Sequence, residues 1–487
     1  MLFLEITLLL LYGLCLLFVL GFSLTQFQLT QLARRAYRRG LPPEPPAPAR
    51  WPAVTVQLPL YNEVFVVERL IDACAALDYP ADRLHIQVLD DSTDETVALA
   101  AARVAHHQAA GRRISHLRRP DRHGFKAGAL RHGLAYTDDE LVAIFDADFV
   151  PAPDFLRRTV PYFDAPQVGV VQTRWGHLNE EYSLLTGLQA FGLNAHFHVE
   201  QVGRTAGGHF INFNGTGGVW RRACIDDAGG WHTDTLTEDL DLSYRAQLRG
   251  WRFRYLPAVV APAELPATVD ALKSQQFRWT KGAAETARKH LGTVLRSSQS
   301  AATKLHAAFH LLNSTVFVAV LLMALVSVPL VFVRADLPQL KPLLQVASVF
   351  LLAFVPLVHY YFTAWRLNRP GASAWAFAWR FPLFMSVSMG LTLHNARAVL
   401  LGFGGRASAF VRTPKLGLVR RQGRWQGRRY RTGGLGWLTW VEGALALYFA
   451  FGIAAGLYFG DWGLIPFHLM LTVGYGVIFY YSLRHQA

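Results

Sequence analysis

The sequence predicts an α/β domain joined to an α-helical transmembrane bundle, and three observations carry that prediction. Long apolar runs stand toward both ends of the chain, at residues 2–27, 306–333, 343–363, 437–459 and 464–483, each enough to cross the roughly 30 Å hydrocarbon layer as a helix. Between them, from about Trp51 to Leu291, short β-rich runs (AVTVQLPL, LHIQVLDD, LVAIFDAD, VGVVQTRW) alternate with helical stretches, the pattern of a largely parallel sheet covered by helices. Hydrophobic residues make up 52% of the 487 residues and the mean hydropathy is positive, more than one soluble core requires.

The first run carries a single charge, Glu5, with no basic residue before it and no small-residue cleavage site after it, so it predicts a membrane helix rather than a cleaved signal peptide. Arg34, Arg35, Arg38 and Arg39 follow at once. Such a cluster stays cytosolic and puts the N-terminus outside. LPPEPPAPARWP then resists both helix and ladder pairing and reads as a semi-rigid spacer with a boundary near Trp51. The expected divisions are therefore a membrane helix (1–28), a basic and Pro-rich linker (29–50), the α/β domain (51–300), two membrane helices (301–371), a segment of special character (372–435) and two final membrane helices (436–487). Ala372 to Phe403 is apolar but holds Arg380, His394, Asn395 and Arg397, which are costly in lipid. The loop after it, Arg406 to Arg431, has many basic residues and no acid. That segment is accordingly expected to be interfacial or re-entrant.

A net charge of +14 is compatible with nucleic-acid binding, but the basic residues gather beside the apolar runs. Anionic membrane lipids and phosphate-bearing ligands are the expected partners, not nucleic acid. Cys15, Cys74 and Cys224 are far apart and lack zinc or disulfide spacing, which points to a reducing compartment.

The chemistry is concentrated at the strand ends, where open α/β sheets bind ligands. Asp90 and Asp91 close one strand run and Asp146 and Asp148 another. Two carboxylates spaced as Asp-Ala-Asp suit a hard divalent cation that bridges to diphosphate oxygens, although solvated turn acids have the same appearance. Lys126 in HGFKAGAL supplies a cation for phosphate, beside glycines that admit close backbone approach; an ordinary helix start is the alternative. TLTEDLDLSYRAQLRGW sets Thr237, Glu238, Asp239 and Asp241 at a helix start, more acids than capping needs. Asp239 is the candidate base for an acceptor hydroxyl. In ALKSQQFRWTKG, Gln275, Arg278 and Trp279 fall within about a helical turn. Trp offers a flat face to a sugar and Arg a fork to a diphosphate, unless the pair is a membrane-interface anchor.

LPLYNE (58–63), DDSTDET (90–96), HGFKAGAL (123–130), DAD (146–148), TED (237–239) and QQFRW (275–279) occur in one order, and together they resemble the inverting, processive family 2 glycosyltransferases of GT-A fold. The intervening TRWGHLNEEYSLLT, HFHVEQ, FNGTGGVWRR, AGGW and RGWRF look most like the cellulose-synthase-like mannan and glucomannan synthases. The resemblance covers about Trp51 to Leu291. It implies that Tyr61, Glu63, Asp90, Asp91, Lys126 and Asp146 hold the donor, that Asp146 and Asp148 carry Mg2+ or Mn2+, and that Asp239 is the base. It also implies that Thr237, Glu238, Gln275, Arg278 and Trp279 handle the acceptor and pyrophosphate, with Phe213 to Gly218 shaping the acceptor pocket. Beyond Leu291, Phe410, Thr413 and Lys415 in FVRTPK look like the gating loop of cellulose synthases, with Arg412 where that pattern has an apolar residue.

What the resemblance implies is a multi-pass membrane enzyme of the bacterial inner membrane with its catalytic domain cytosolic. It would move a hexosyl unit from GDP-mannose or UDP-glucose to a growing β-linked polysaccharide. A lipid glycosyltransferase of the ceramide or diacylglycerol type shares the acids and the Gln-x-x-Arg-Trp and is the alternative acceptor reading. A transporter or scaffold would have no use for the full set of acids.

Overall fold

The computed structural model describes residues 2–336, 347–406, 408, 410–423, 425 and 436–485. The first residues of the expected run at 343–363 and the end of the basic loop, 426–431, lie outside them.

Seven strands form one sheet: β1 (Val54–Leu60), β2 (Leu84–Asp90), β3 (Ile114–Leu117), β4 (Leu141–Ile144), β5 (Val168–His177), β6 (Gly218–Arg221) and β7 (Arg252–Ala263), in the order β3-β2-β1-β4-β6-β5-β7. β2 is buried along its whole length and β1 at every position but Pro59, as strands are when helices cover both faces of a sheet. Among the described residues four of the six strand pairings are parallel, as the sequence predicts. β6 runs antiparallel to both β4 and β5, which makes the sheet mixed. Four residues entered through Gly215 and Gly217, both with positive φ, leave too short an alternation to be read as a strand.

The register positions the site. Leu60 pairs with Asp90, and Val54 pairs with both Leu84 and Leu141, so the carboxyl ends of β1, β2 and β4 reach one rim. The reversed β6 pairs Gly218 with Ile144 and so begins on that same rim. One face of the sheet packs on Val66, Leu70, Ile71 and Phe155, the other on Phe213, Trp220, Trp231 and Leu242. Phe213, expected near the acceptor, is fully buried in that second core, because its neighbour Asn214 takes the outward position.

The first helix is continuous from Leu2 to Arg39, so the basic cluster placed in a linker is helical. It crosses the segment after β5 closely: a Cβ on Gly203 would stand 2.3 Å from Leu29 O. Among the described residues, three helices are long and apolar enough to cross a membrane: Phe3–Arg39, Asn313–Ala335 and Trp437–Tyr458. The helices Ala347–Asn368 and Ile465–Arg484 have 22 and 20 residues, enough in length to cross the hydrocarbon layer as well. Ala374–Gly390 and Thr392–Phe403 meet at a 50° bend, as a broken span or a re-entrant loop.

Candidate active site

Each acid expected to hold the donor meets a basic side chain of the protein itself. Asp91 accepts a two-pronged contact from Arg119, at 2.7 and 2.6 Å. Asp90 accepts from His116 Nε2 and Ser92 N, both at 2.9 Å; burial alone would raise its pKa, but these bonds outweigh it and hold it low. Tyr61 lies under the Arg122 guanidinium, 3.3 Å from the ring centroid. Glu63 pairs with Arg412 at 2.9 Å, and burial pushes its carboxyl up to about 8 against the pull of Arg412 and Lys415.

The two acids of the Asp-Ala-Asp turn diverge. β4 stops at Ile144, and Thr216 Oγ1 accepts from Asp146 N at 2.9 Å to begin the turn. Asp146 accepts from Lys126 Nζ at 2.5 Å, while Asp148 Oδ2 pairs with Lys415 Nζ at 2.8 Å. Among the described residues Asp148 Oδ1 is buried without a hydrogen-bond partner. A buried carboxylate oxygen left open suits a hard divalent cation, so Asp148 fits the metal that the motif implies, while Asp146 is held by Lys126. Another cluster, His232, Asp234 and Asp241, has ligand atoms within 4.8 Å of one another. There the room is taken: Asp241 binds Arg245, Lys289 and His290, and Lys289 also holds Asp234.

Asp239 stands at the start of the helix Glu238–Leu248, and Leu240 N donates to its Oδ1 at 2.9 Å. Burial, then the neighbouring Glu238, raise its pKa, with Lys126 opposing, to about 7. That is where a general base is most useful. Lys126 also donates to Gly215 O at 2.8 Å and lies 3.9 Å from Glu238. Gly215 fits here for two reasons: its φ is +79°, and a Cβ on it would meet Asp239 Oδ2 at 3.0 Å.

Arg278 and Trp279 come from the helix Val269–Arg296. Arg278 is surrounded by the charges of Asp146, Glu238, Glu63 and Asp148, although burial draws its own pKa down. Trp279 lies 6.4 Å from Trp175 at the end of β5. Thr237 Oγ1 is 3.2 Å from Thr286 Oγ1, joining the acid segment to this helix. Gln275 is buried in the same helix, and among the described residues no hydrogen bond ties it to the cleft groups.

The FVRTPK loop lies in the cleft. Phe410 stacks on Phe125 at 5.2 Å, with the Arg278 guanidinium over the Phe410 ring at 4.8 Å, and Thr413 Oγ1 accepts from Arg278 at 2.8 Å. Leu416 N and Leu418 N donate to the two oxygens of Glu264, at 2.9 and 3.1 Å. Sequence reasoning misses Arg119, Arg122, His116, Trp175 and Glu264. The density of basic residues in HLRRPDRHGFK, between two acid-bearing strands, is a signal for the first three; Glu264 offers none.

The chain superposes on the mannosyltransferase PcManGT of Pyrobaculum calidifontis, solved in complex with GDP-Man and Mn2+, with a TM-score of 0.53 at 22% identity. The match covers 75% of this chain and all of that one. This likeness is one of fold, and it defines a GT-A fold joined here to helices apolar enough to cross a membrane. Residues 52–282 match the family described as "Glycosyltransferase like family 2". The chain is 38% identical over 379 residues to glucomannan 4-beta-mannosyltransferase 2 of Arabidopsis thaliana, covering 76% of this chain and 68% of that protein. It is 36% identical over 378 residues to glucomannan 4-beta-mannosyltransferase 1 of Oryza sativa subsp. japonica, covering 75% and 70%. The chain belongs to glycosyltransferase family 2 and is a hexosyltransferase.

Proposed function

We propose that this protein transfers mannose from GDP-mannose to the end of a growing β-linked glycan, with inversion, from a catalytic domain on the cytosolic face of a membrane. UDP-glucose is the second donor to test. The observation that carries the reading is Asp239, buried beside Lys126 and Glu238 with a pKa near 7, on the rim that also gathers the phosphate-facing cations. The names of the relatives favour mannose and a polysaccharide over a glycolipid. Those relatives are plant proteins, so nothing in them supports a bacterial inner membrane.

In this reading the acceptor hydroxyl gives its proton to a carboxylate oxygen of Asp239 as its oxygen bonds to the anomeric carbon. The anomeric C–O bond to the diphosphate breaks, and GDP leaves with the electron pair. Lys126, Arg278 and, once the loop has re-formed over the donor, Lys415 meet the charge that develops on the diphosphate. A divalent cation held by Asp148, with Asp146, would supply Lewis-acid neutralisation of that leaving group. Tyr61, Glu63, Asp90 and Asp91 form the nucleotide side, Thr237, Glu238, Gln275, Arg278 and Trp279 the acceptor and pyrophosphate side, and Phe410, Thr413 and Lys415 the gate. Membrane lipids would surround the helices.

The test is incubation of the protein in nanodiscs with radiolabelled GDP-mannose or UDP-glucose and Mn2+, followed by digestion of the product with β-mannanase. Mannanase-sensitive polymer is expected. A single labelled lipid, or incorporation from neither donor, would overturn the reading.

A further inference from the structure

The last cytosolic loop is tied to the α/β domain by two kinds of contact. From Phe410 to Lys415 it holds groups that the donor also needs: Arg412 pairs with Glu63 at 2.9 Å, Thr413 Oγ1 accepts from Arg278 at 2.8 Å, and Lys415 pairs with Asp148 at 2.8 Å. A nucleotide sugar entering the cleft must break or rebuild each of them. The residues just beyond are held by groups that play no part in donor binding. Leu416 N and Leu418 N donate to the two carboxylate oxygens of Glu264, at 2.9 and 3.1 Å, and Arg420 N donates to Leu178 O at 2.7 Å.

Two amides separated by one residue reach a single carboxylate because Gly417, between them, has a φ of +65°. That backbone turns both N–H groups to one side, as in the backbone nests that hold anions. Leu416 and Leu418 are also buried, against Ala267, Phe65 and Tyr182. Glu264 itself has little freedom. It stands between Ala263, whose carbonyl accepts from Leu178 N at 2.8 Å, and Leu265, whose N–H and carbonyl are both bonded by the Asn179 side chain, at 2.8 and 2.9 Å. Arg69 Nη2 lies 3.8 Å from Glu264 Oε2, near enough to offset its charge and too far to compete as a hydrogen-bond donor.

The same frame carries the acid that Lys415 meets. Pro262 O, two residues before Glu264, accepts at 2.9 Å from Val150 N, two residues past Asp148. Burying a carboxylate is costly unless its hydrogen bonds are kept, which favours a clip that persists while the first part of the loop lets go. We propose that Glu264 is a positioning residue for the transfer reaction: it holds Leu416 to Leu418 in place with or without donor, so that residues 410–415 move as a flap hinged at Leu416 and Lys415 returns each time to the same point above the diphosphate.

The inference rests on the proposed transfer from a nucleotide sugar, and its test separates the two. Purified full-length wild type, Glu264→Gln, Gly417→Ala, Lys415→Met and the double variant Glu264→Gln/Lys415→Met are compared in nanodiscs with GDP-mannose and Mn2+. Glutamine presents an NH2 where one loop amide needs an oxygen, and alanine at 417 opposes the positive φ, so the two single changes strike the clip from its two sides. Each should lower kcat/KM for GDP-mannose roughly ten-fold. In the Lys415→Met background, Glu264→Gln should lower it by less than about two-fold more, because a residue that acts by placing Lys415 has nothing left to place. A merely structural residue would show its full factor again. Hydrogen exchange read by mass spectrometry follows the hinge itself: in wild type the amides of Leu416 and Leu418 should exchange equally slowly with and without GDP-mannose, and Glu264→Gln should speed both roughly ten-fold or more. Gly417→Ala, which leaves the buried carboxylate in place, supplies the same readouts if Glu264→Gln does not fold. Release of Leu416 and Leu418 on donor binding would overturn the proposal. So would independent losses in the double variant, or Glu264→Gln with wild-type turnover and exchange. Wild type inactive with GDP-mannose and UDP-glucose alike would instead sink the functional reading, and the donor-free exchange of Leu416 and Leu418 in Glu264→Gln would still decide whether Glu264 holds the loop.

Discussion

Lys415 occupies the place where a metal would draw on Asp148, and its removal should change metal affinity in opposite directions with and without donor. The ammonium lies 2.8 Å from Asp148 Oδ2, with side-chain exposures of 16% and 3%. At an effective dielectric of about 20 the gross attraction at that distance is roughly 6 kcal/mol. Rehydration of the released lysine and freedom regained by the loop return most of this, leaving about 1–2 kcal/mol that a cation must overcome. Lys415→Met should therefore tighten Mn2+ binding in the donor-free protein by roughly 5–30-fold. With GDP-mannose present the sign reverses, because the displaced ammonium is then expected on the diphosphate and its loss weakens the ternary complex. Titration of Mn2+ by electron paramagnetic resonance, with and without GDP-mannose, reads both arms. A donor-free Mn2+ affinity that is unchanged or weakened in Lys415→Met would refute the idea that lysine and metal compete for Asp148.

Three further outcomes follow from the same cleft. Asp239→Asn should lower transfer by about 10²–10⁴-fold while GDP-mannose affinity in calorimetry stays within a few-fold, and transfer near the wild-type rate would remove Asp239 from the base role. The pH profile of kcat/KM should carry a limb with midpoint about 7. Below it Asp239 holds a proton and cannot accept another, so the rate falls ten-fold per pH unit; Glu238→Gln, by removing a negative neighbour, should move the limb to lower pH. Trp279→Ala should suppress transfer more than donor hydrolysis, with Trp279→Phe retaining part of it, whereas equal transfer by a folded Ala variant would return Trp279 to a membrane-anchoring role.

Local chemistry makes the acids legible in the sequence: β2 and β4 are apolar runs that end in carboxylates, and parallel strands must deliver their C-terminal ends to one rim. The reversed β6 is hidden, because four residues behind two glycines give no alternation to count. Phe213 is misplaced for a related reason. Side chains of an extended segment alternate between faces, so treating Phe213 to Gly218 as one lining ignores that Phe213 and Asn214 point apart. The partners of the acids are beyond sequence reasoning altogether. Lys415 is 267 positions from Asp148, and Arg412 is 349 from Glu63; only the folded path of the last loop brings either into the cleft. Asp146 and Asp148 look like one pair in the sequence, yet the chain turns once β4 has ended at Ile144, and one meets Lys126 and the other Lys415.

The helix Val269–Arg296 explains why the site is built where the domain meets the apolar helices. Five residues before Arg278, Lys273 Nζ donates to Glu442 Oε2 at 2.6 Å and to Ser482 Oγ at 3.0 Å, while its carbonyl lies 2.9 Å from His394 Nε2. These contacts tie one turn of the helix to three others, Trp437–Tyr458, Ile465–Arg484 and Thr392–Phe403. Three residues past Arg278, Lys281 Nζ donates to Ser408 Oγ at 2.7 Å and pairs with Glu285 at 3.2 Å. Breaking a buried pair such as Lys273 with Glu442 leaves an uncompensated charge and costs about 3–5 kcal/mol. Arg278 and Trp279 are thus held in fixed register between two anchored turns, and the helix cannot slide by a residue without losing both. If the acceptor advances by one sugar after each transfer, the stepping must come from the glycan moving across Trp279 and from the loop of Phe410 and Lys415 withdrawing and returning, with this helix as the stationary part.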